Sequence, residues 1–266
     1  MISLIYKLYE LINKTWIFKI YEKILENEID KNNLPKHIGV IMDGNRRLAR
    51  MMGEDITKGH YIGAKKVREF IKWCIDLNIN VITLYSFSLE NFNRSDKEVK
   101  ALMNLFEKEF RDVADDDIVH KYKINIRAIG RLELLPENVR EAINYAEDRT
   151  KNYTNYYVNI AIAYGGQQEL VDAVKKIAKK IKNNEMDIEE ITMKTISNHL
   201  YTAHLPYPNP DLIIRTSGEE RISNFLIWQS SYSELYFCET FWPQFRKIDF
   251  LRAIRDYQNR KRRFGK

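Results

Sequence analysis

Residues 37–47 read His37-Ile38-Gly39-Val40-Ile41-Met42-Asp43-Gly44-Asn45-Arg46-Arg47. Residues 38–42 are a short apolar run that stops at Asp43-Gly44-Asn45, a stretch with turn chemistry. A helix follows and breaks near Gly53. A buried strand that hands polar residues to a loop and then to a helix is the unit of a parallel α/β sheet.

The same pattern recurs down the chain. Residues 61–77 are amphipathic, 81–85 are rich in β-formers, 97–119 predict a long helix and 124–129 a strand. Pro136, placed as at the first position of a helix, opens a helix to about Thr150. Residues 158–163 predict a strand ending in Tyr164-Gly165-Gly166, and 170–181 a helix. Residues 212–214 and 235–237 read as the last strands, and 250–262 as a closing helix. The expected fold is α/β: a single domain, residues 34–266, with a central parallel sheet flanked by helices.

Upstream lies an expected amphipathic helical extension, residues 1–33. Ile5, Leu8, Tyr9, Ile12 and Trp16 keep a helical period. The stripe then shifts through Ile17, Ile20, Ile24 and Leu25, which predicts a bend or two helices. Its lysines (7, 14, 19, 23) are balanced by Glu10, Glu22, Glu26 and Glu28. Such a neutral helix either packs on the domain or a partner, or lies at a membrane surface.

Composition bounds the rest. The 266 residues carry 43 Lys+Arg against 37 Asp+Glu, a net charge of +6, with 44% hydrophobic residues. Ten Gly and six Pro without a repeat exclude collagen and disorder. Cys74 and Cys238 form no disulfide framework. No apolar run has the length of a membrane span, and no signal peptide is evident. The expected location is cytoplasmic, with peripheral membrane contact as the variant.

Ligands of such sheets sit beyond the carboxyl ends of the strands. Polar clusters fall there: Asp43-Gly44-Asn45-Arg46-Arg47, Ser86-Phe87-Ser88-Leu89-Glu90-Asn91 and Arg215-Thr216-Ser217-Gly218-Glu219. Arg46, Arg47, Arg50, His60, Arg94, Arg215 and Arg221 are the nearby cationic groups, and arginine forks suit phosphate oxygens. Gly44, Gly59 and Gly218 allow close backbone approach to an anion. Asp43 and Glu234 are the carboxylates that suit a hard cation. Together these are the groups for a Mg2+-bound diphosphate. No P-loop, GxGxxG, zinc spacing or GxSxG elbow around Ser88 is present. The Asp115-Asp116-Asp117 run reads as a solvated helix end.

These segments resemble the cis-prenyltransferases, the undecaprenyl diphosphate synthase family, in an archaeal-type form. Residues 37–47 resemble HxxxIMDGNxR, and Gly59-His60 with Gly63 the second signature. Residues 83–94 resemble TLYAFSxENWxR, 159–166 NIAxxYGG, and 211–226 DLxIRTxGExRxSNFL, followed by Glu234-Leu235-Tyr236-Phe237 and Trp242-Pro243. Phe92 and Leu48 stand where tryptophan is common, Ser217 replaces a glycine, Glu220 a histidine, and Ile56 an arginine.

The resemblance implies a homodimer with a hydrophobic tunnel between sheet and helices. The implied activity adds isopentenyl diphosphate repeatedly onto an allylic diphosphate (farnesyl or geranylgeranyl) with new cis double bonds. The product is a long polyprenyl diphosphate, the precursor of a glycosyl carrier lipid. Carried over by position, Asp43 and Asn91 are catalytic, and Asp43 and Glu234 hold Mg2+, Glu234 near or across the dimer interface. Gly44, Asn45, Arg46, Arg47, Leu48, Arg50 and His60 line the allylic diphosphate; Ser88, Glu90, Phe92 and Arg94 lie near the reacting carbons. Arg215, Arg221 and Ser223 clamp isopentenyl diphosphate, and Arg263 with Gly265 forms a C-terminal element reaching a diphosphate. Residues 97–110 supply Val99, Leu102, Met103, Leu105, Phe106 and Phe110 as candidate tunnel walls.

A non-catalytic partner subunit of the same family would lack the aspartate that Asp43 supplies here. The basic tail Arg260-Lys261-Arg262-Arg263 lacks any nucleic-acid recognition motif, so no nucleic-acid partner is expected.

Overall fold

The computed structural model describes residues 16–260. In it β1 (His37–Ile41) is buried throughout and lies inside a six-stranded sheet of order β3-β4-β2-β1-β5-β6. The other strands are β2 (Val81–Ser88), β3 (Ile124–Ile129), β4 (Tyr156–Tyr164), β5 (Leu212–Arg215) and β6 (Glu234–Phe237), and every pairing is parallel. The family of short, β-branched apolar strands satisfies its backbone in the ladders and its side chains under helices on both faces. Register aligns Ile41 with Tyr85 on one side and with Arg215 on the other. The chain leaves β1 for β2 on one flank and returns as β5 on the opposite flank. That reversal opens a crevice beyond the carboxyl ends of β1, β2 and β5.

The helices are α1 (Trp16–Glu28), α2 (Asn45–Met51), α3 (Ile56–Asp76), α4 (Asp96–Ala114), α5 (Asp117–Tyr122), α6 (Glu137–Thr150), α7 (Gly166–Lys182), α8 (Met193–Ser197) and α9 (Lys247–Asn259). The long helix expected over residues 97–119 is two helices. Asp116 is an N-cap whose side chain accepts from the Ile118 N–H at 2.8 Å, so a new helix starts where the aspartate run suggested an end. Nor is that run merely solvated: Asp115 meets Tyr145 and Arg149, and Asp116 meets Arg68. Pro136 is the residue before α6 rather than its first residue.

Helix α1 is part of the packed body. Leu25 and Ile29 are buried, and Phe18 and Tyr21 pack against the main core. Lys247 of α9 reaches Glu26 at 2.5 Å, and Arg255 reaches Glu28 at 3.0 Å. The opposite face leaves Trp16, Ile20 and Ile24 exposed. Residues 1–15, with most of the expected apolar stripe, lie outside the described residues. Among the described residues no helix is long and apolar enough to cross a membrane.

A polar thread runs through the sheet. The buried His37 ring lies 2.8 Å from the Tyr207 carbonyl and 2.8 Å from the Thr83 hydroxyl. Burial pushes its pKa down to about 4, against the lesser upward pull of the Tyr207 carbonyl and Asp211. The folded protein therefore keeps His37 neutral, while the unfolded chain takes up a proton below about 6.5. This residue's contribution is whole above pH ~6.5 and is lost as pH falls toward 4. Urea unfolding should give a lower midpoint at pH 5 than at pH 7, with a smaller difference in His37→Gln. An unchanged pH dependence in that variant would remove His37 as the cause.

Candidate active site

Beyond Ile41 the chain turns at Asp43 and Gly44 into α2. Gly44 has φ +104°, and a Cβ there would lie 2.8 Å from Phe241, so a side chain would be both strained and obstructed. This turn aims the Gly44 N–H at Asp43 Oδ1, 2.7 Å away. Asp43 Oδ2 accepts from Arg215 at 3.0 Å and faces Arg47 at 3.3 Å, the i,i+4 neighbour on α2. Partial burial pushes the Asp43 pKa up. The Arg215 hydrogen bond, the Gly44 N–H and the Arg47 charge together outweigh it, so the net shift is downward and the carboxylate is ionised.

Arg47 is held on several sides. It donates to the Ser217 carbonyl at 3.2 Å and hydroxyl at 2.5 Å, pairs with Glu219 at 3.1 Å, and lies over the Phe241 ring. Ser217 sits at φ +78°, where glycine is the ordinary occupant, and its hydroxyl supplies a partner glycine lacks. Arg215, at the end of β5, is 4% exposed and donates to Ser223 Oγ at 2.7 Å and to the Arg221 carbonyl. Ser223, Asn224 and Leu226 all have positive φ, so this loop holds local strain next to the guanidinium.

A second carboxylate organises the far wall. Glu98, 5% exposed in the first turn of α4, lies 3.0 Å from Arg94, 3.1 Å from His60 and 3.4 Å from Arg46, all through Oε1. Burial lowers the His60 pKa despite the opposing pull of Glu98, so its ring is neutral and donates from Nε2. Between the two carboxylates runs a short 3-10 turn (Leu89–Asn93). Asn91 Oδ1 caps it by accepting from the Ser88 N–H at 3.2 Å.

These groups face one cavity of about 620 Å³, lined by Asp43, Gly44, Asn45, Arg46, Arg47, Arg50, His60, Ser88, Glu90, Asn91, Arg94, Arg215 and Ser223. An apolar cavity of about 140 Å³ adjoins it between α3, α4 and the sheet. Met42, Asn45, His60, Tyr85 and Ser86 wall both. Arg215 Nε is buried with no hydrogen-bond partner, donor capacity that suits a bound anion, whereas the equally unpartnered Asn45 Oδ1 abuts Gly63 of α3. A cation-lined chamber that shares a wall with a greasy one suits a ligand with an anionic head and a hydrocarbon tail.

The model of the prenyltransferase family, described as undecaprenyl diphosphate synthase, matches residues 41–265. The chain belongs to the cis-prenyltransferase family. A tritrans,polycis-undecaprenyl-diphosphate synthase (geranylgeranyl-diphosphate specific) of Methanocaldococcus jannaschii is 65% identical, covering 97% of this chain and 92% of that protein. A like-named protein of Methanopyrus kandleri is 49% identical, covering 94% and 92%. Among solved structures, lavandulyl diphosphate synthase from Lavandula x intermedia, in complex with dimethylallyl diphosphate, superposes with TM-score 0.83 at 34% identity. It covers 88% of this chain and 99% of that one. A probable undecaprenyl diphosphate synthase from Campylobacter jejuni gives TM-score 0.72 at 33% identity, covering 88% and 100%. The protein is thus an archaeal-type cis-prenyltransferase, an enzyme that transfers prenyl groups.

In this cis-prenyltransferase most of the residues expected from the sequence converge on the polar cavity, and some do not. Leu48 is buried in the core under α2 and does not reach the cavity, because it lies on the inner face of that helix. Phe92 packs edge-on against Phe87. The Arg221 side chain points outward to Glu219, 2.6 Å away, and only its carbonyl serves Arg215. Glu234 begins β6, level with Leu212, about 10 Å below the carboxyl edge that carries Asp43. There it pairs with Arg260 at 2.9 Å. One chain therefore does not bring Asp43 and Glu234 together. Arg263 and Gly265 lie outside the described residues. Gly59, expected near an anion, serves packing instead: a Cβ would lie 2.1 Å from the Asn45 carbonyl where α2 meets α3.

Glu98 is the residue that sequence reading missed. Its signal was present: it stands four residues after Arg94, the helical spacing of an ion pair.

Proposed function

We propose that this cis-prenyltransferase extends geranylgeranyl diphosphate with isopentenyl diphosphate, giving a long polyprenyl diphosphate that serves as a carrier-lipid precursor. The observation that carries this is the shared wall between the cationic chamber and the apolar one, which fits a diphosphate head and a growing prenyl tail. The starter comes from the names of the relatives, which specify geranylgeranyl diphosphate.

In this reading Arg46 and Arg47 hold the allylic diphosphate, with Arg50, Arg94 and His60 around it, while the Gly44 N–H fixes Asp43. Arg215 and Ser223 hold isopentenyl diphosphate. Cleavage of the allylic C–O bond leaves diphosphate and an allylic cation, and fixed charges aimed at the departing oxygens lower that barrier. Attack by the isopentenyl double bond is followed by transfer of a proton from the new cation to an oxygen of the departed diphosphate, beside Asn91, which the Ser88 contact holds in place. The apolar chamber keeps water from the cation.

Mg2+ fits Asp43, an ionised hard-oxygen donor on the cavity wall, because this ion takes one or two carboxylates and completes its shell with phosphate oxygens and water. When bound, it adds positive charge to the departing diphosphate. A homodimer, with Glu234 near or across its interface, would bring that carboxylate to the site from a second copy. The exposed Trp16, Ile20 and Ile24 of α1 support peripheral contact with a membrane that receives the product.

The test is kcat/KM with labelled isopentenyl diphosphate and allylic primers of ten, fifteen and twenty carbons. Geranylgeranyl diphosphate should give the highest value, and the products should be resolvable as a ladder of five-carbon steps. Equal or better use of farnesyl diphosphate would overturn the starter assignment.

A further inference from the structure

The apolar chamber holds about 140 Å³. A dry cavity of ~150 Å³ accommodates a molecule the size of benzene. It therefore takes roughly one prenyl unit, and a geranylgeranyl tail alone needs several times that space. A wall must part as the chain grows. The sheet face is locked by its parallel ladders. Helix α4 packs broadly on α6, whereas α3 and α4 meet sparingly. The chamber lies in that seam, between Val67 and Ile71 of α3 and Phe106 and Phe110 of α4.

The seam is tied at two levels. At the diphosphate end, His60 meets Glu98 at 3.1 Å and Asp55 meets Lys97 at 2.7 Å. Further along α3 the tie is Arg68. Its Nη1 donates to Asp116 Oδ2 at 2.8 Å, and its Nη2 donates to Glu109 Oε2 at 3.2 Å and lies 3.8 Å from Asp112 Oδ2. Arg68 and Glu109 are also chamber walls. One guanidinium thus pins α3 to α4 and to the cap of α5, eight residues along α3 from His60.

We propose that Arg68 is a strap across the chain chamber, about two turns of α3 beyond the diphosphate end, and that the ease of releasing it sets how many units are added. This rests on the reading of the chamber as the site of the growing chain. A hydrocarbon tip arriving at Arg68 and Glu109 cannot solvate their charges. Elongation continues only if the pair swings outward into water, which its partial exposure permits (44% for Arg68, 30% for Glu109), and lets the helices separate.

The test compares product lengths from wild type and Arg68→Met, each normalised to its own first condensation product, at low and high salt. Methionine keeps apolar bulk and removes the fork. Arg68→Met should raise the share of products longer than the main wild-type product by roughly two- to five-fold, the weight of an exposed ion network. Wild type should shift the same way in ~1 M salt, where the Debye length is ~3 Å, while Arg68→Met should not respond. Identical or shorter distributions in a folded variant would overturn the strap. If Arg68→Met fails to fold, Glu109→Gln combined with Asp112→Asn removes carboxylate partners instead, with the same two outcomes. Failure of wild type to elongate any primer would count against the function itself, whereas elongation with unchanged lengths counts against the strap alone.

Discussion

Asp43→Ala lowers kcat by ~10²-fold or more while leaving the protein folded. Asp43 is on a turn, partly exposed, and contributes little apolar burial, so the fold survives its loss, although the buried Arg215 guanidinium loses its carboxylate and the thermal transition falls. Its carboxylate is the ionised group to which Arg47 and Arg215 both point. Without it, two guanidiniums lose the anchor that sets their orientation, and the wall loses its hard oxygen donor. Both losses fall on the state in which diphosphate departs, so kcat suffers more than the affinity for either substrate. Asp43→Asn separates the parts: it keeps the hydrogen-bonding shape and loses the charge. Steady-state kinetics in saturating Mg2+ checks this, and near-native turnover of Asp43→Ala would sink the role.

Arg215→Ala raises the KM for isopentenyl diphosphate by about 10- to 100-fold, because a charge-assisted hydrogen bond is worth ~1.5–3 kcal/mol. Arg215 is almost fully buried, and its fork is fixed by Ser223, the Arg221 carbonyl and Asp43. The strained backbone at Ser223 and Asn224 holds those acceptors in place. Arg215→Lys keeps the charge but not the planar fork, so it should restore only part of the affinity. Substrate-dependence curves for the two diphosphates check this. A rise confined to the allylic primer's KM would reverse the assignment of the two diphosphate sites.

Local chemistry explains what the sequence made legible. The run from His37 to Arg47 declares a buried strand, a turn that only glycine fits at Gly44, and a helix bearing cations. All of that follows from neighbours a few residues apart. The strand order does not, because β1 pairs with β2 and β5 through contacts far apart in the chain. The aspartates at 115–117 looked like a helix end because acidic residues suit both an exposed terminus and an N-cap, and only Arg68 and Tyr145, distant in sequence, show which role each plays. Glu98 was hidden for a related reason. A glutamate in a first helical turn is ordinary, and its burial among Arg46, His60 and Arg94 arises only when α2, α3 and α4 converge. Glu234 matched its motif by position, yet position along a motif carries no information about which edge of the sheet faces the ligand.

The central claim is that one molecule spans the two chambers, head on the arginines and tail along α3 and α4. A crystal structure of the protein with Mg2+ and a non-cleavable thio analogue of geranylgeranyl diphosphate tests it most directly. Diphosphate density is expected against Arg46 and Arg47, with the hydrocarbon running past Tyr85 and Ser86 toward Leu105, Phe106 and Phe110. Diphosphate density away from Asp43, or a tail leaving the polar cavity without entering the space between α3 and α4, would contradict it.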